Sequence, residues 1–132
     1  MKVFVTGVGG QLGHDVMNEL YKRGMEGVGS DIAPVYSGIA DDSAVTTMPY
    51  VQLDITDGAA VSRVLNEIKP DAVIHCAAWT AVDSIRKLAG LDNIWYDFAA
   101  VCEAAPMAAC IMATGGKRVL WGSDYPICMH RG

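Results

Sequence analysis

KVFVTGVGGQLG, at residues 2–13, places a short β-branched apolar run directly before three glycines spaced three residues apart. The run Lys2–Thr6 predicts a buried strand, and the apolar residues at helical spacing after the glycines predict a helix. Between them, Gly7 would allow a tight turn, Gly10 would let a ligand approach the backbone, and Gly13 would let the helix lie close to the strand. The helix N-terminus offers unpaired N–H groups to an anion. This order of elements predicts a dinucleotide pyrophosphate site, with a purely structural turn as the alternative.

An acidic residue follows at the distance that such a site requires. A second apolar run follows at Val28–Ile32, and Asp31 near its end lies 24 residues after Gly7. In dinucleotide-binding folds, a carboxylate at about this distance binds the ribose hydroxyls. No arginine that could neutralise a 2′-phosphate follows in Ile32–Pro34, so NAD is predicted in preference to NADP. The alternative is an aspartate that only ends a strand.

Composition and charge exclude several classes of protein. The 132 residues fit one domain with its own core, and 52% hydrophobic with 19% charged residues excludes a disordered chain. A net charge of −5 argues against binding nucleic acid, which needs a basic surface. No apolar run reaches the ~18 residues that cross a bilayer. No membrane span is therefore predicted. The first strand follows Met1 directly, so no signal peptide is predicted either, and a cytoplasmic location is expected.

Strands and amphipathic helices alternate along the chain. The first helix is expected to bury a face formed by Leu12, Val16 and Leu20. Further strands are predicted at Glu26–Asp31, Tyr50–Ile55 and Asp71–Cys76, with a helix capped by Asp57 and a long irregular loop over Ala33–Pro49. Such alternation is typical of an α/β fold with parallel pairing. We predict a Rossmann-like, doubly wound sheet of about six strands in the order 3-2-1-4-5-6.

Several motifs together resemble the extended short-chain dehydrogenases, and among these the dTDP-4-dehydrorhamnose reductases. They are TGVGGQLG at Thr6–Gly13, Asp31, LDITD at Leu53–Asp57 and HCAAWTAVD at His75–Asp83. The resemblance covers about residues 1–84. It implies that the cofactor is held by Gly7, Gly9, Gly10, Gln11, Leu12, Gly13, Asp31, Ile32, Asp54, Ile55, Cys76, Ala77, Ala78 and Thr80.

Two of these residues have an equally ordinary explanation. The resemblance implies that the Asp54 carboxylate accepts from the exocyclic amine of adenine while Ile55 lies on the ring. Without the resemblance, Ile55 could be a core residue and Asp54 could close a turn. The small residues at Cys76–Ala78 are also common at strand ends, so their role follows mainly from the resemblance.

Residues 85–132 resemble a different family, the metal-dependent amidohydrolases. The match consists of LDNIWYD at Leu91–Asp97, a helix near Pro106, and RVLWGSDYP at Arg118–Pro126, which together resemble the last strand–helix–strand unit of a barrel. Two resemblances that meet at Ser84–Ile85 predict a recombined, engineered chain. Because both folds use right-handed strand–helix–strand units, the second part is expected to extend the same sheet within a single domain over residues 1–132.

The second resemblance offers weak catalytic candidates. It implies that Asp124 faces a metal, whereas an overlay on the reductases places Ser123 near a carbonyl-polarising hydroxyl. A turn closed by Asp124 before Pro126 is the simpler interpretation. No metal site is predicted, because the three or four converging ligands that a metal needs cannot be assembled from the sequence.

The proton donor of the reductases is missing. Four residues after each of the five tyrosines stand Met25, Ala40, Asp54, Ala100 and Met129, so the sequence has no Tyr-x-x-x-Lys pair. We therefore predict an NAD-binding Rossmann module derived from a nucleotide-sugar reductase, without turnover, whose partner is the dinucleotide. Two alternatives stay open: an active nucleotide-sugar oxidoreductase with an unrecognised acid, and a fold-engineering chimera that binds no ligand.

Overall fold

A computed structural model of the chain describes residues 1–77, 88, 90–97 and 104–120. Contacts within the chain divide it into two compact units, Met1–Ala78 and Trp79–Gly132. The sequence places the joint between the two resemblances slightly later, at Ser84–Ile85, and the single domain over residues 1–132 stays a prediction. No described helix has both the length and the apolar character to cross a membrane.

The first unit is built on a parallel sheet of four strands. Its strands are β1 (Lys2–Thr6), β2 (Glu26–Asp31), β3 (Tyr50–Gln52) and β4 (Ala72–His75), in the spatial order β3-β2-β1-β4. This order confirms the first four strands of the predicted sheet. Strand β3 is shorter than predicted, because Asp54 closes a turn in which its carbonyl accepts from the Asp57 N–H at 3.1 Å.

Two helices of the first unit begin where the sequence predicts. Helix α1 spans Gln11–Lys22 and helix α2 spans Gly58–Ile68. The Asp57 carboxylate caps α2 by accepting from the N–H groups of Ala59 and Ala60, both at 3.0 Å. At the other end, Lys69 adopts a left-handed conformation with φ of 49°, which ends the helix before the next strand.

Each face of the sheet has its own core. Buried residues on the α1 side are Val3, Val5, Val8, Met17, Leu20 and Val45. Buried residues on the α2 side are Phe4, Val28, Leu53 and Val64. Strand β2 presents Gly27 and Gly29 to α1, where a Cβ would meet the Met17 side chain at 3.4 and 3.3 Å. The helix therefore packs directly on the β2 backbone, which explains a strand with so few apolar side chains.

The segment between β2 and β3 is longer than most loops of compact domains. It contains one turn of 3₁₀ helix at Ala44–Thr47 and otherwise has no regular structure, in line with the predicted irregular loop. Val45 in this turn is buried in the core on the α1 side. The returning half of the loop is thus anchored to the first unit.

The second unit contains a strand–helix–strand motif. Strand β5 (Tyr96–Asp97) pairs in parallel with strand β6 (Val119–Leu120), and helix α3 (Ala104–Thr114) lies between them in sequence. Within the described residues this pair forms a separate two-stranded sheet, so the prediction of one six-stranded sheet is wrong there.

Strand β5 begins later than predicted for a local reason. The segment Leu91–Asp97, which the amidohydrolase resemblance predicts to be a strand, begins instead with a turn, in which the Leu91 N–H donates to the Leu88 carbonyl at 3.0 Å. The Arg118 guanidinium donates to the carbonyls of Leu91 and Ile94. Backbone groups that serve a turn and a side chain are not available for a strand ladder, so β5 begins only at Tyr96.

Candidate functional site

The glycine turn joins β1 to α1 in a conformation that only glycine adopts readily. Gly7 has a φ of +74°, and its N–H donates to the Ser30 carbonyl of β2 at 2.8 Å. A Cβ at this position would lie 2.6 Å from the Ala77 nitrogen, which follows β4. The turn is therefore held between two neighbouring strands at the carboxyl edge of the sheet.

The third glycine sets the distance between the helix and the turn. A Cβ on Gly13 would lie 2.3 Å from the Gly7 carbonyl oxygen and 2.7 Å from the Val8 Cα. Both atoms belong to the backbone and cannot rotate away. This geometry agrees with the close packing that the sequence predicts for Gly13.

Gly10, the second glycine of the turn, has few neighbouring atoms. A Cβ on Gly10 would meet only the Gly7 carbonyl oxygen, at 3.4 Å, which is an ordinary contact. Gly10 is the N-cap residue of α1, with φ of −87° and ψ of 165°, and has no side chain to accept from the first N–H groups of the helix. The fold itself thus leaves room for a ligand group beside the helix N-terminus, where Gln11 and Leu12 begin the first turn.

Asp31 at the end of β2 contacts the glycine turn directly. One carboxylate oxygen accepts from the Gly9 N–H at 2.8 Å, and the other accepts from the Ile32 N–H at 2.7 Å. A Cβ on Gly9 would lie 2.9 Å from the same Asp31 oxygen that the Gly9 N–H contacts. The structure therefore brings together the glycines and the acidic residue that sequence analysis assigns to one site.

Asp54 and Ile55 follow β3 at the same edge of the sheet. One Asp54 oxygen accepts from the Thr56 hydroxyl at 2.7 Å and from the Thr56 N–H at 2.9 Å, and these bonds lower the pKa of the Asp54 carboxyl. Asp54 thus closes a turn, as one of the two sequence interpretations holds. Ile55 is 40% exposed, so the alternative that it is a core residue is wrong.

Cys76 and Ala77 follow β4 on the other side of β1. The Cys76 N–H donates to the Thr6 carbonyl at 3.1 Å, which carries the parallel pairing one residue beyond the strand. Next to it, Thr6 Oγ1 and His75 Nδ1 lie 2.6 Å apart, and burial lowers the pKa of His75. Four predicted site residues lie outside the described part of the chain: Ala78, Thr80, Ser123 and Asp124.

A polar cluster on α1 was not foreseen from the sequence. His14 is buried, with a side chain 3% exposed. Its Nδ1 lies 2.5 Å from the Tyr36 hydroxyl, and its Nε2 lies 2.9 Å from an Asp41 carboxylate oxygen. Tyr36 and Asp41 stand 22 and 27 residues later in the chain, and a local sequence pattern carries no signal for such contacts.

The segment that follows Asp31 in the chain carries only negative charges. This loop, residues 32–49, has no lysine or arginine and contains Asp41 and Asp42. Within the described ranges, no three His, Cys, Asp or Glu side chains converge as metal ligands would. The side chains present near the glycine turn can therefore accept hydrogen bonds from hydroxyl groups, while the backbone supplies the donors for an anion.

Comparison with known proteins identifies relatives of this arrangement. Residues 1–113 match a family model described as the RmlD substrate binding domain. A dTDP-4-dehydrorhamnose reductase from Streptomyces griseus is 40% identical over 79 residues, which is 60% of this chain and 20% of that protein. A probable low-salt glycan biosynthesis reductase, Agl14, from Haloferax volcanii is 39% identical over 108 residues, covering 78% of this chain and 33% of that protein. The chain thus spans a fifth to a third of the length of these curated relatives.

Solved structures support the same fold. A putative epimerase from Burkholderia cenocepacia aligns with a TM-score of 0.50 and 22% identity, covering 91% of this chain and 36% of that one. A dTDP-glucose 4,6-dehydratase from Bacillus anthracis, solved in complex with NAD, aligns with a TM-score of 0.50 and 14% identity, covering 92% of this chain and 36% of that one. The family match continues past Ser84–Ile85 to residue 113, and the amidohydrolase resemblance of residues 85–132 stays a prediction.

Proposed function

Because this chain belongs to the RmlD substrate binding domain family, we propose that it binds NAD as the dinucleotide-binding part of a nucleotide-sugar reductase or epimerase. One observation carries the proposal: the Asp31 carboxylate accepts from the Gly9 N–H at 2.8 Å, directly beside the N-terminus of α1. Backbone donors for a pyrophosphate and a carboxylate acceptor for ribose hydroxyls are thereby held next to each other. The names of the curated relatives support a nucleotide sugar as the substrate class.

Each part of the turn has a distinct task in this proposal. The N–H groups of Gln11 and Leu12, together with the positive end of the helix dipole, would bind the pyrophosphate in the space beside Gly10. Asp31 is an acceptor and ribose hydroxyls are donors, so the carboxylate would bind the adenosine ribose. A 2′-phosphate would instead place negative charge next to Asp31, which favours NAD over NADP.

The residues of this chain are better suited to binding the cofactor than to catalysing a reaction. Bound NAD supplies a hydride acceptor or, when reduced, a donor. Reducing a sugar ketone also needs a proton for the developing alkoxide, and these 132 residues contain no Tyr-x-x-x-Lys pair to give it. We therefore assign cofactor binding to this chain and no turnover of a keto sugar by it alone.

Replacing Asp31 by alanine tests the ribose assignment. Asp31→Ala should weaken NAD binding by about 10- to 100-fold, because a hydrogen bond to a charged group contributes about 1.5–3 kcal/mol. NADP binding should fall by much less, since the variant also removes the repulsion of the 2′-phosphate. Calorimetric titration of each protein with both nucleotides gives the NAD-to-NADP selectivity ratio.

The control for this experiment is Asp15→Ala, which removes the same charge from an exposed position on α1. It should leave both affinities unchanged. Equal losses of NAD and NADP affinity in Asp31→Ala would mean that the carboxylate only supports the glycine turn. If the unaltered chain binds neither nucleotide, the alternative of a chain without a ligand is correct.

A further inference from the structure

Residues 32–49, which we name the strap, leave the sheet at Asp31 and return to it at β3. Two side chains of β3 hold the first residues of the strap. The Tyr50 hydroxyl donates to the Ala33 carbonyl at 2.6 Å, and the Gln52 amide donates to the Ile32 carbonyl at 3.1 Å. The backbone next to Asp31 is therefore fixed from the β3 side.

Helix α1 holds the middle of the strap through one buried histidine. His14 contacts the Tyr36 hydroxyl with Nδ1 and the Asp41 carboxylate with Nε2, and its ring stacks on that of Tyr36 with centroids 6.2 Å apart. The Asn18 side-chain amide lies 3.1 Å from the same Nε2. With the Ser43 hydroxyl, 3.5 Å from Nε2, four polar groups thus surround an imidazole that is almost completely removed from solvent.

The direction of these hydrogen bonds follows from the state of Asp41. Its other oxygen accepts from the Ser43 N–H at 3.0 Å, and hydrogen bonds from Ser43 lower the pKa of the Asp41 carboxyl. An ionised carboxylate can only accept, so the His14 Nε2 carries the hydrogen that is donated to it. The other ring nitrogen, Nδ1, contacts the Tyr36 hydroxyl, which also donates to the Ile39 carbonyl at 3.3 Å.

The two attachments lie close together along the chain. Between the Ala33 carbonyl, held by Tyr50, and the Tyr36 hydroxyl, held by His14, only Pro34 and Val35 intervene. The proline ring fixes one backbone torsion of this short span. A shift of Tyr36 would therefore be transmitted to Ile32 and Asp31, because few torsions are available to absorb it.

We propose that His14 is a positioning residue for the dinucleotide: through Tyr36 and Asp41 it holds the strap against α1, and so fixes Asp31 and Ile32 at the adenosine end of the site. This inference rests on the proposed function, since it concerns how the same site is shaped. His14 itself touches the strap and is not assigned any contact with the cofactor.

The test removes single polar groups of the strap and measures binding of NAD and of ADP-ribose, which lacks only the nicotinamide. Tyr36→Phe keeps the ring and loses its hydroxyl, and Asp41→Ala loses the acceptor. Each should weaken both ligands by the same factor, about three- to tenfold, as expected for the loss of one hydrogen bond. Asp41→Asn, which can still accept from His14, should recover part of the lost affinity.

The matched control is Tyr21→Phe. It removes an exposed tyrosine hydroxyl from α1, the helix that carries His14, and should change neither affinity. Amide hydrogen exchange over residues 33–43 should become faster in Tyr36→Phe and Asp41→Ala. Faster exchange with unchanged affinity would overturn the inference, because the strap would then be only structural. A loss restricted to NAD, with ADP-ribose binding unchanged, would also overturn it. Failure of the unaltered chain to bind NAD would overturn the proposed function, and this inference with it.

Discussion

Gly13→Ala should lower the free energy of unfolding by about 1–3 kcal/mol, the usual cost of forcing extra atoms into a packed region. The added Cβ would lie 2.3 Å from the Gly7 carbonyl oxygen and 2.7 Å from the Val8 Cα, so either α1 or the glycine turn must move. The loss is informative because alanine in an unobstructed helix position is favoured over glycine by about 1 kcal/mol. Urea titration followed by circular dichroism measures the difference.

Gly58→Ala provides the matched control in the other helix of the first unit. Gly58 is the first residue of α2, and a Cβ there would have no other atom within 4 Å. The same substitution should therefore leave the protein equally stable or slightly more stable. Equal unfolding midpoints for the Gly13 and Gly58 variants would contradict the close contact between α1 and the turn.

Gly10→Val should abolish detectable NAD binding, with a loss of at least about 100-fold, while the chain stays folded. Valine is compatible with the backbone here, since φ is −87° and ψ is 165°, and its Cβ would meet only the Gly7 carbonyl oxygen at 3.4 Å. Its methyl groups would occupy the space proposed for the pyrophosphate. Each hydrogen bond from the backbone to that anion contributes about 1.5–3 kcal/mol, so loss of two is sufficient.

The Gly10 and Gly13 variants separate binding from stability. Calorimetric titration with NAD and urea unfolding should both be carried out on Gly10→Val, with a normal unfolding midpoint expected. A variant that binds NAD as the unaltered chain does would show that the pyrophosphate does not lie beside Gly10. A variant that is unfolded would show that Gly10 is needed by the fold, contrary to the open space around it.

The sequence predicts the β1–α1–β2 region well, because its signals are local. Glycines and hydrophobic periodicity within a few residues of each other determine the turn, the helix start at Gln11 and the strand that ends at Asp31. The predicted buried face of α1 is less accurate: Leu12 is 53% exposed, while His14 is buried. Burial of a histidine requires partners for its nitrogens, and the partners Tyr36 and Asp41 belong to a segment without any periodicity.

The same reasoning explains the errors in the sheet. Strand β3 ends at Gln52 because the Asp54 side chain and carbonyl close a turn, an effect that the apolar run Tyr50–Ile55 conceals. In the second unit, Arg118 donates to the carbonyls of Leu91 and Ile94, and the Leu91 N–H donates to the Leu88 carbonyl, so the segment that resembles a barrel strand begins with a turn. Apolar side chains predict burial. Strand pairing depends instead on which partner forms a hydrogen bond with each backbone N–H and C=O group.

The most direct measurement of the central claim is an amide chemical-shift titration of the ¹⁵N-labelled chain with NAD. If the glycine turn and Asp31 form the dinucleotide site, the largest shifts should fall on Gly9, Gly10, Gln11 and Leu12, with further shifts at Asp31 and Ile32. The amides of α2, on the opposite side of the sheet, should not respond. Shifts centred on α2, or no shift at millimolar NAD, would contradict the account.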